Sequence, residues 1–465
     1  MHKKDKDQDA MSGRLDLEAL TKLVQSGEID TVIAALPDMQ GRLMGKRVMG
    51  HFFLDSVVEE THGCNYLLTT DLEMEAVPGY KAASWDRGYG DFVLKPDMIT
   101  LRRIPWLEGT ALVLCDILDH HSHAEVPHAP RAMLKRQLAR LAEHGWIAKM
   151  GSELEFYVID ETYEEARAQD YKNLRHAGWY NEDYNILQTS KEEPLIRAIR
   201  NAMEGCGIPV EVSKGECGPG QEELNLRYAE ALEMADRHVI YKNGAKEIAH
   251  LHGKAITFMA KLGYDLPGSS FHLHSSLWDA KSDKPLFADK TDQHGLSALF
   301  KHYIAGLLDC LPAMTYFLAP NINSYKRFQA GSFAPTKSAW SLDNRTAGFR
   351  VLGPGAATRV ECRVPGADAN PYLAYAAVLA AGLHGIENKL ELGPPFDGNA
   401  YAAKRIPDVP KTLRAALKAL DKSKVMRAAL GDEVVDHYLH AGNWEQLEYD
   451  RRVTDWEVIR GFERT

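Results

Sequence analysis

Four segments of this chain alternate as β-strands do. One face of each carries residue types that bind metals or phosphates, not the Lys, Thr and Gln of an ordinary wet face. Over 151–158, Glu153 and Glu155 share a face opposite Leu154, Phe156 and Val158. Over 223–228, Glu223, Asn225 and Arg227 oppose Leu224 and Leu226, and Glu216 opens the glycine-rich turn Glu216-Cys-Gly-Pro-Gly-Gln-Glu-Glu223 just before them. Over 271–276, His272, His274 and Ser276 align; over 358–364, Arg359, Glu361 and Arg363 align against Val360, Cys362 and Val364. Any one of these reads as a half-exposed strand whose polar face meets water. Together, with Glu, His and Arg dominating all the faces, they read as the lining of one cleft. Acids gathered there would repel one another severely without cations and an anionic ligand.

Carboxylates with imidazole suit a hard cation such as Mg²⁺ or Mn²⁺, whereas zinc would want more His or Cys. Arginines beside such metals suit phosphate oxygens. The chemistry that needs both is phosphoryl transfer from ATP. Rival phosphate motifs fail: no GxxxxGK[ST] occurs, Gly218-Pro-Gly220 and Gly353-Pro-Gly355 lack the third glycine of a dinucleotide fingerprint, and no kinase signature set is present.

The elements that must position these residues follow from hydrophobic period. Leu17, Leu20 and Val24 fall at helical spacing before Gly27, a stop signal. Short apolar runs at 31–36, 65–69, 91–94 and 110–116 make the first part a small mixed domain rich in strand. Residues 120–130, dense in His, Pro and Ser, read as a linker. Pro130 suits a first helical position, Leu134, Leu138 and Leu141 form the stripe, and Gly145 ends the helix. Beyond it, strands alternate with helices expected at 228–250, 295–311 and 371–387, and several short ones from 411 onward. A boundary near 125 divides the chain into domains 15–124 and 125–465, behind a disordered tail at 1–14 that lacks the apolar stretch of a signal peptide.

Bulk properties narrow the classes. The chain has 465 residues, 45% hydrophobic and 26% charged, an ordinary globular balance with room for more than one domain. A net charge of −10 argues against nucleic acid as a partner. The six cysteines form no CxxC pair, which argues for reduced thiols in a cytoplasm over a disulfide framework or zinc site. The most apolar stretch, 372–383, is too short to span a membrane.

At these residues the sequence resembles the glutamine synthetase family, specifically its bacterial type-I-like ligases. The matching segments, 130–158, 216–228, 252–261, 268–277, 321–328, 344–350 and 359–372, run in the family's order, with weaker matches at 38–47 and 91–116. The resemblance implies an α+β fold: a small N-terminal β-grasp-like domain and a large C-terminal catalytic domain on a curved antiparallel sheet with flanking helices. It implies two to three Mg²⁺ or Mn²⁺ ions per site, one held by Glu155, Glu216 and Glu223 and another by Glu153, His272 and Glu361. Glu211, His274, Ser276 and Arg359 match ATP contacts, and Tyr228 matches an aromatic packed on adenine. Arg327 matches the clamp for the α-carboxylate of L-glutamate, Gly268 the loop at its α-amino group, and Arg363 its γ-carboxyl contact. Arg345 and Arg350 match catalytic residues that steer the phosphoryl group. In the family, ATP converts a carboxylate into an acyl phosphate that an amine then attacks, and the protein's task is positioning and charge stabilisation. The family's stacked hexameric rings, in which a neighbour's N-terminal domain completes each site, imply a homo-oligomer, a dodecamer.

The sequence departs from the ammonium-using members. Their flap carries a glutamate in a GYEAP-like run that closes the ammonium site and removes a proton; here the run is Gly331-Ser-Phe-Ala-Pro335, with Phe333 in its place. Thr69-Thr-Asp-Leu-Glu-Met74 occupies the region of their Asp-Gly-Ser-Ser. An apolar group where a carboxylate would stand favours a substrate with carbon substituents over a small hydrated cation. Phe328-Gln-Ala-Gly331, Asn344-Arg-Thr346 and Gly366-Ala-Asp-Ala-Asn-Pro371 resemble the γ-glutamyl-amine ligases. The expected activity therefore joins L-glutamate to an organic amine (ethanolamine, a polyamine or an alkylamine) at the expense of ATP. The alternatives are an ordinary glutamine synthetase and a non-catalytic ring protein; against the latter, every candidate metal ligand is Glu or His. Asp71, Glu73 and Glu75 are candidates for a distal ammonium, and Trp179, Tyr180, Phe333 and Trp340 for the pocket walls. Segment 67–85 looks unlike the putrescine enzymes. Pro267 replaces an asparagine in the glutamate loop, and Tyr401, near the place of a regulatory adenylylated tyrosine, reads as a plain surface residue.

Overall fold

The computed structural model describes residues 13–465, so most of the expected tail at 1–14 lies outside the described residues. Its last two positions are tied down: the Gly13 carbonyl accepts from the Arg103 N–H (2.7 Å), and Arg14 pairs with Glu233. Helix Leu17–Ser26 follows, capped by the Asp16 side chain and ended by Gly27 at φ 77°.

The first sheet is mixed. Its strands are β1 (Thr31–Pro37), β2 (Leu43–Met49), β3 (Thr61–Cys64), β4 (Asp91–Arg103) and β5 (Thr110–Asp119), in the order β2-β1-β5-β4-β3. β1 pairs parallel with β5, and the other pairs are antiparallel. The apolar run at 65–69 is not a strand: Asn65–Leu68 forms a 3₁₀ turn that buries Leu68. A run this short holds too little period to separate strand from helix.

Helix Pro130–Glu143, with Pro130 in its first turn, leads into the large sheet. This comprises β6 (Trp146–Ile159), β7 (Val210–Gly215), β8 (Gln221–Leu226), β9 (Ala229–Glu230), β10 (Ala255–Thr257), β11 (Phe271–Asp279), β12 (Trp340–Leu342), β13 (Phe349–Leu352) and β14 (Arg359–Cys362). The main path is β12-β13-β14-β11-β6-β8-β7; β9 and β10 also pair with β6, and among these described pairs β12–β13 alone is parallel. Leu154, Phe156, Val158, Leu224, Leu273 and Val360 are buried in one core with the helices Ala231–Leu251, Ala298–Leu318 and Pro371–Glu387. At ~25 cal/mol per Å² of apolar surface, this burial holds the register, because a one-residue slip would drive Glu153 and Glu155 into the core.

The helices depart from expectation at their ends. Ala231 rather than 228 opens the first, because Ala229–Glu230 is drawn into pairing with β6. Helix Ala298–Leu318 runs past 311 with Pro312 inside it. The hydrogen bond lost there is outweighed by burial of Met314, Phe317 and Leu318 beyond it. The helices after 411 include a long one, Asp432–Asp450. No helix among the described residues is long and apolar enough to cross a membrane. The architecture is α+β.

Candidate active site

Backbone pairing sets the site's side chains opposite one another. Glu153 of β6 pairs with Asn225 of β8 on one side and His272 of β11 on the other, while Glu155 pairs with Glu223. Glu361 of β14 pairs with His274 on one side and Arg350 of β13 on the other. Paired residues project to the same face, so two overlapping sets form. Glu153, His272 and Glu361 offer ligand atoms that all lie within 4.8 Å of one another, and so do Glu155, Glu223 and His272. His272 Nδ1 stands 3.4 Å from a Glu153 oxygen and 3.6 Å from a Glu361 oxygen. Glu216, grouped by the sequence with Glu155 and Glu223, is instead ion-paired to Lys214 at 2.5 Å. Lys214 lies two residues earlier and supplies a ready counter-charge. The Glu216 charge still acts on both Glu155 and Glu223.

The two sets differ in charge balance. Burial alone would raise Glu153, but His274, whose Nε2 is 2.8 Å away, and His272 outweigh it and hold the carboxyl far below its ordinary range. Burial would likewise raise Glu361, but His272, Arg363 (2.6 Å) and His274 keep it low. In the other set the support from His272, Ser270 and Lys214 is outweighed. Burial and then the Glu216 charge push Glu155 upward, and burial followed by Glu155, Glu216 and Glu153 pushes Glu223 up to about 9. Ser270 aims two donors at Glu155, its backbone N–H (2.8 Å) and its hydroxyl. Crowded, buried carboxylates around one imidazole are the donor set of Mg²⁺ or Mn²⁺.

A cavity of about 420 Å³ opens beside them, lined by Glu153, Glu211, Tyr228, His274, Ser276 and Arg359 among others. Arg359 Nε–H donates to His274 Nδ1 (3.2 Å), which places the ring proton on Nε2, toward Glu153. Tyr228 is 53% exposed, leaving ring surface free for a flat partner. Trp278 lines the same cavity. Its indole N–H donates to Ser276 (2.9 Å), and the Lys149 ammonium sits 3.7 Å from its ring centroid. Arg350 bridges Asp343 and Glu361, at 2.5 and 3.2 Å, outside this lining. Arg345 is exposed and has no side-chain partner among the described residues.

Buried Arg327 donates to the carbonyls of Arg363 and Val364 (2.8 and 2.7 Å), and burial lowers it to about 10. Gly268 lies against it: a Cβ there would stand 2.5 Å from Arg327 Cγ, so a side chain would lift the loop off the arginine.

The family pattern "Glutamine synthetase, catalytic domain" matches residues 127–460. The chain belongs to the glutamine synthetase family. It is 52% identical to a gamma-glutamylethanolamide synthetase, GlnA4, of Streptomyces coelicolor, over 97% of this chain and 96% of that one. It is 36% identical to a glutamate–isopropylamine ligase of a Pseudomonas, over 94% and 96%. Among solved structures it is similar to a GmaS/ADP complex, with TM-score 0.84 and 27% identity over 95% of this chain and 99% of that one.

Within this glutamine synthetase framework, the flap and its surroundings differ most from expectation. Phe333 is 56% exposed, in the left-handed region at φ 58°. Tyr401 is not a plain surface residue. It is half-buried, and its phenol donates to the flap carbonyl of Ala334 (3.0 Å), a contact between residues 67 apart that no local pattern announces. Trp340 is buried in β12, and its indole N–H donates to the Gly393 carbonyl (2.9 Å). Trp179 and Tyr180 are exposed, with Lys191 over both rings at 4.3 and 6.0 Å. Asp71 meets the Trp444 indole (3.2 Å) and the Glu75 N–H rather than Phe333, and Glu73 is exposed. Trp340, Trp179, Tyr180 and Asp71 thus each meet another partner. Ser270 was missed, although carrying the alternation of 272, 274 and 276 one step back would have found it.

Proposed function

We propose that this chain is an ATP- and Mg²⁺-dependent carbon–nitrogen ligase that joins the γ-carboxyl of L-glutamate to a small organic amine, ethanolamine first among candidates. One juxtaposition carries the reading: a nucleotide-sized cavity opens onto paired carboxylate sets, while the flap presents Phe333 where ammonium-using relatives carry a carboxylate. Relatives named for ethanolamide and isopropylamine ligation support the same class of substrate.

In this reading Glu153, His272 and Glu361 hold one ion, and Glu155, Glu216 and Glu223 a second, Glu216 exchanging Lys214 for the cation. The ions would neutralise charge on the phosphates during transfer. Tyr228 and Glu211 hold the nucleoside end, while His274, Ser276 and Arg359 meet the phosphates. Arg327 and Gly268 orient the α-carboxylate and α-amino groups of glutamate, and Arg363 turns its γ-carboxylate toward the γ-phosphorus. The attacking carboxylate oxygen forms a bond to phosphorus as the bond to ADP breaks; Arg345 and Arg350 stabilise the transferring group. The neutral amine nitrogen then attacks the acyl carbon, and phosphate leaves with the proton that the nitrogen sheds. Asp71 and Glu73 would act from a neighbouring subunit of a dodecamer, where domain 15–124 of one chain closes the site in domain 125–465 of the next.

The test supplies glutamate, MgATP and a panel of amines and measures phosphate release. Ethanolamine or an alkylamine should exceed ammonium in kcat/KM. Ammonium outperforming every organic amine overturns the reading.

A further inference from the structure

A second cavity, of about 470 Å³, lies between the N-terminal sheet domain and the catalytic domain, away from the carboxylate sets. Lys242 and Lys246, one turn apart on helix Ala231–Leu251, both line it. Their ammonium groups stand 5.5 and 5.8 Å from the Phe258 ring centroid. Lys242 donates to the Ala367 carbonyl (2.6 Å), and neither lysine makes an ion pair among the described residues. Two ammonium groups at i and i+4 repel; Lys242 is half-buried, and the acids nearest it act only at a distance. The nearby acids are otherwise engaged. Asp38 pairs with Arg42 (2.7 Å), and one Asp368 oxygen accepts from Asn321 and Ser324. Three residues that line the cavity carry a buried polar atom without a partner: Thr70 Oγ1, Tyr80 Oη and the second Asp368 oxygen. Such orphans call for an explanation in a native fold.

We propose that this cavity is a binding site for a small metabolite whose anionic group, a carboxylate or a phosphate, seats between Lys242 and Lys246. The orphan hydroxyls and the free Asp368 oxygen take the ligand's remaining polar atoms, so a ligand that also carries O–H or N–H fits better than a bare anion. Bound there, it ties Gln40 and Arg42 of the N-terminal domain to the helix packed behind β6.

Ionisation agrees with this geometry. Burial and then Lys246 lower Lys242 to about 7. The groups facing Lys242 are Lys246 on its own helix, Asp38 and Arg42 at the β1–β2 turn, and Asp368 before helix Pro371–Glu387; Asp71 and Glu445 lie elsewhere on the wall. An anion raises Lys242 again, so binding near neutral pH takes up protons.

The test is isothermal titration calorimetry of the full-length protein with malate, succinate and inorganic phosphate. Wild type should bind at least one probe at millimolar concentration or tighter, malate better than succinate, with an enthalpy that varies with the buffer's ionisation heat. Lys242→Met and Lys246→Gln should weaken that binding ~10-fold or more while retaining turnover, and Arg327→Lys should leave it unchanged. Phosphate binding in place of the carboxylates identifies the other ligand class. Three results overturn the proposal: no probe binds at ~10 mM, both lysine variants bind as wild type does, or Arg327→Lys abolishes binding, which places the probe at the glutamate clamp. Lys246 is exposed, so Lys246→Gln keeps the test valid if Lys242→Met does not fold.

Discussion

Ser270→Ala isolates the support of one carboxylate set without touching a ligand. The Ser270 hydroxyl and backbone N–H both donate to Glu155, and alanine removes only the former. Glu155 is buried, so water cannot replace the lost donor freely. A hydrogen bond to a charged group contributes ~1.5–3 kcal/mol. At about 1.4 kcal/mol per decade, that loss weakens cation binding roughly 10- to 150-fold. Substitutions behind metal ligands typically cost ~10–100-fold, so the two estimates overlap. Both Ser270 bonds also lower the Glu155 carboxyl against its burial. Losing one lets the carboxyl rise further, and the cation requirement should steepen as pH falls. The assay is initial rate against free Mg²⁺ at saturating ATP, glutamate and ethanolamine. Half-saturating Mg²⁺ should increase by the stated factor, with most of kcat recovered at high Mg²⁺. If Ser270→Ala lowers kcat or Tm while leaving Mg²⁺ half-saturation unchanged, Glu155 is not a metal ligand and the assignment of the second set fails.

Three further outcomes follow from the same geometry. Phe333→Glu should raise kcat/KM for ammonium by ~10-fold or more, part of what a positioned base supplies, and lower it for ethanolamine; the ratio of the two constants reads it. In EDTA, Tm should fall as pH rises from about 5 to 9. Glu223 moves from a usual 4.5 up to about 9 on folding, so the folded state holds the extra proton and its stability drains away across that window. Saturating Mg²⁺ should restore Tm most at the alkaline end. Tyr401→Phe removes the phenol's bond to the flap at Ala334. A net ~1 kcal/mol corresponds to a several-fold rise in KM for the amine, with Mg²⁺ half-saturation unmoved.

The clustering of the carboxylate and histidine face was legible because it is written in a period of two. Each strand alone was ambiguous, and the residue types on the polar faces decided the matter. Their opposite faces, Leu154 and Phe156 on β6 and Leu224 on β8, are buried and hold the register that pairs Glu153 with His272 and Glu155 with Glu223. Where no period exists, legibility ends. Glu216 lies on the turn between β7 and β8, where alternation says nothing of direction, and it turned out to pair with Lys214. Trp340 sits in a three-residue strand, too short to show that its side chain points inward. Tyr401 with Ala334, and Asp71 with Trp444, meet across long stretches of chain, and only the packed fold brings them together.

Charge balance, more than the presence of acids, separates this face from a wet surface. On a wet surface each carboxylate is hydrated or paired, and little shifts. Here the protein itself supports one set: Arg363 and Arg350 lie at 2.6 and 3.2 Å from Glu361, and the His274 Nε2 at 2.8 Å from Glu153. The other set it leaves only partly compensated, with Glu155 and Glu223 both driven upward. Evening out the two would be simple if stability were the sole constraint, since one lysine at Asn225, beside Glu223, would suffice. Asn225 instead donates to Glu223 without bringing charge (3.1 Å). The deficit is thus maintained in the strand's own sequence, and a bound cation would satisfy it in a way that a fixed ammonium would forbid.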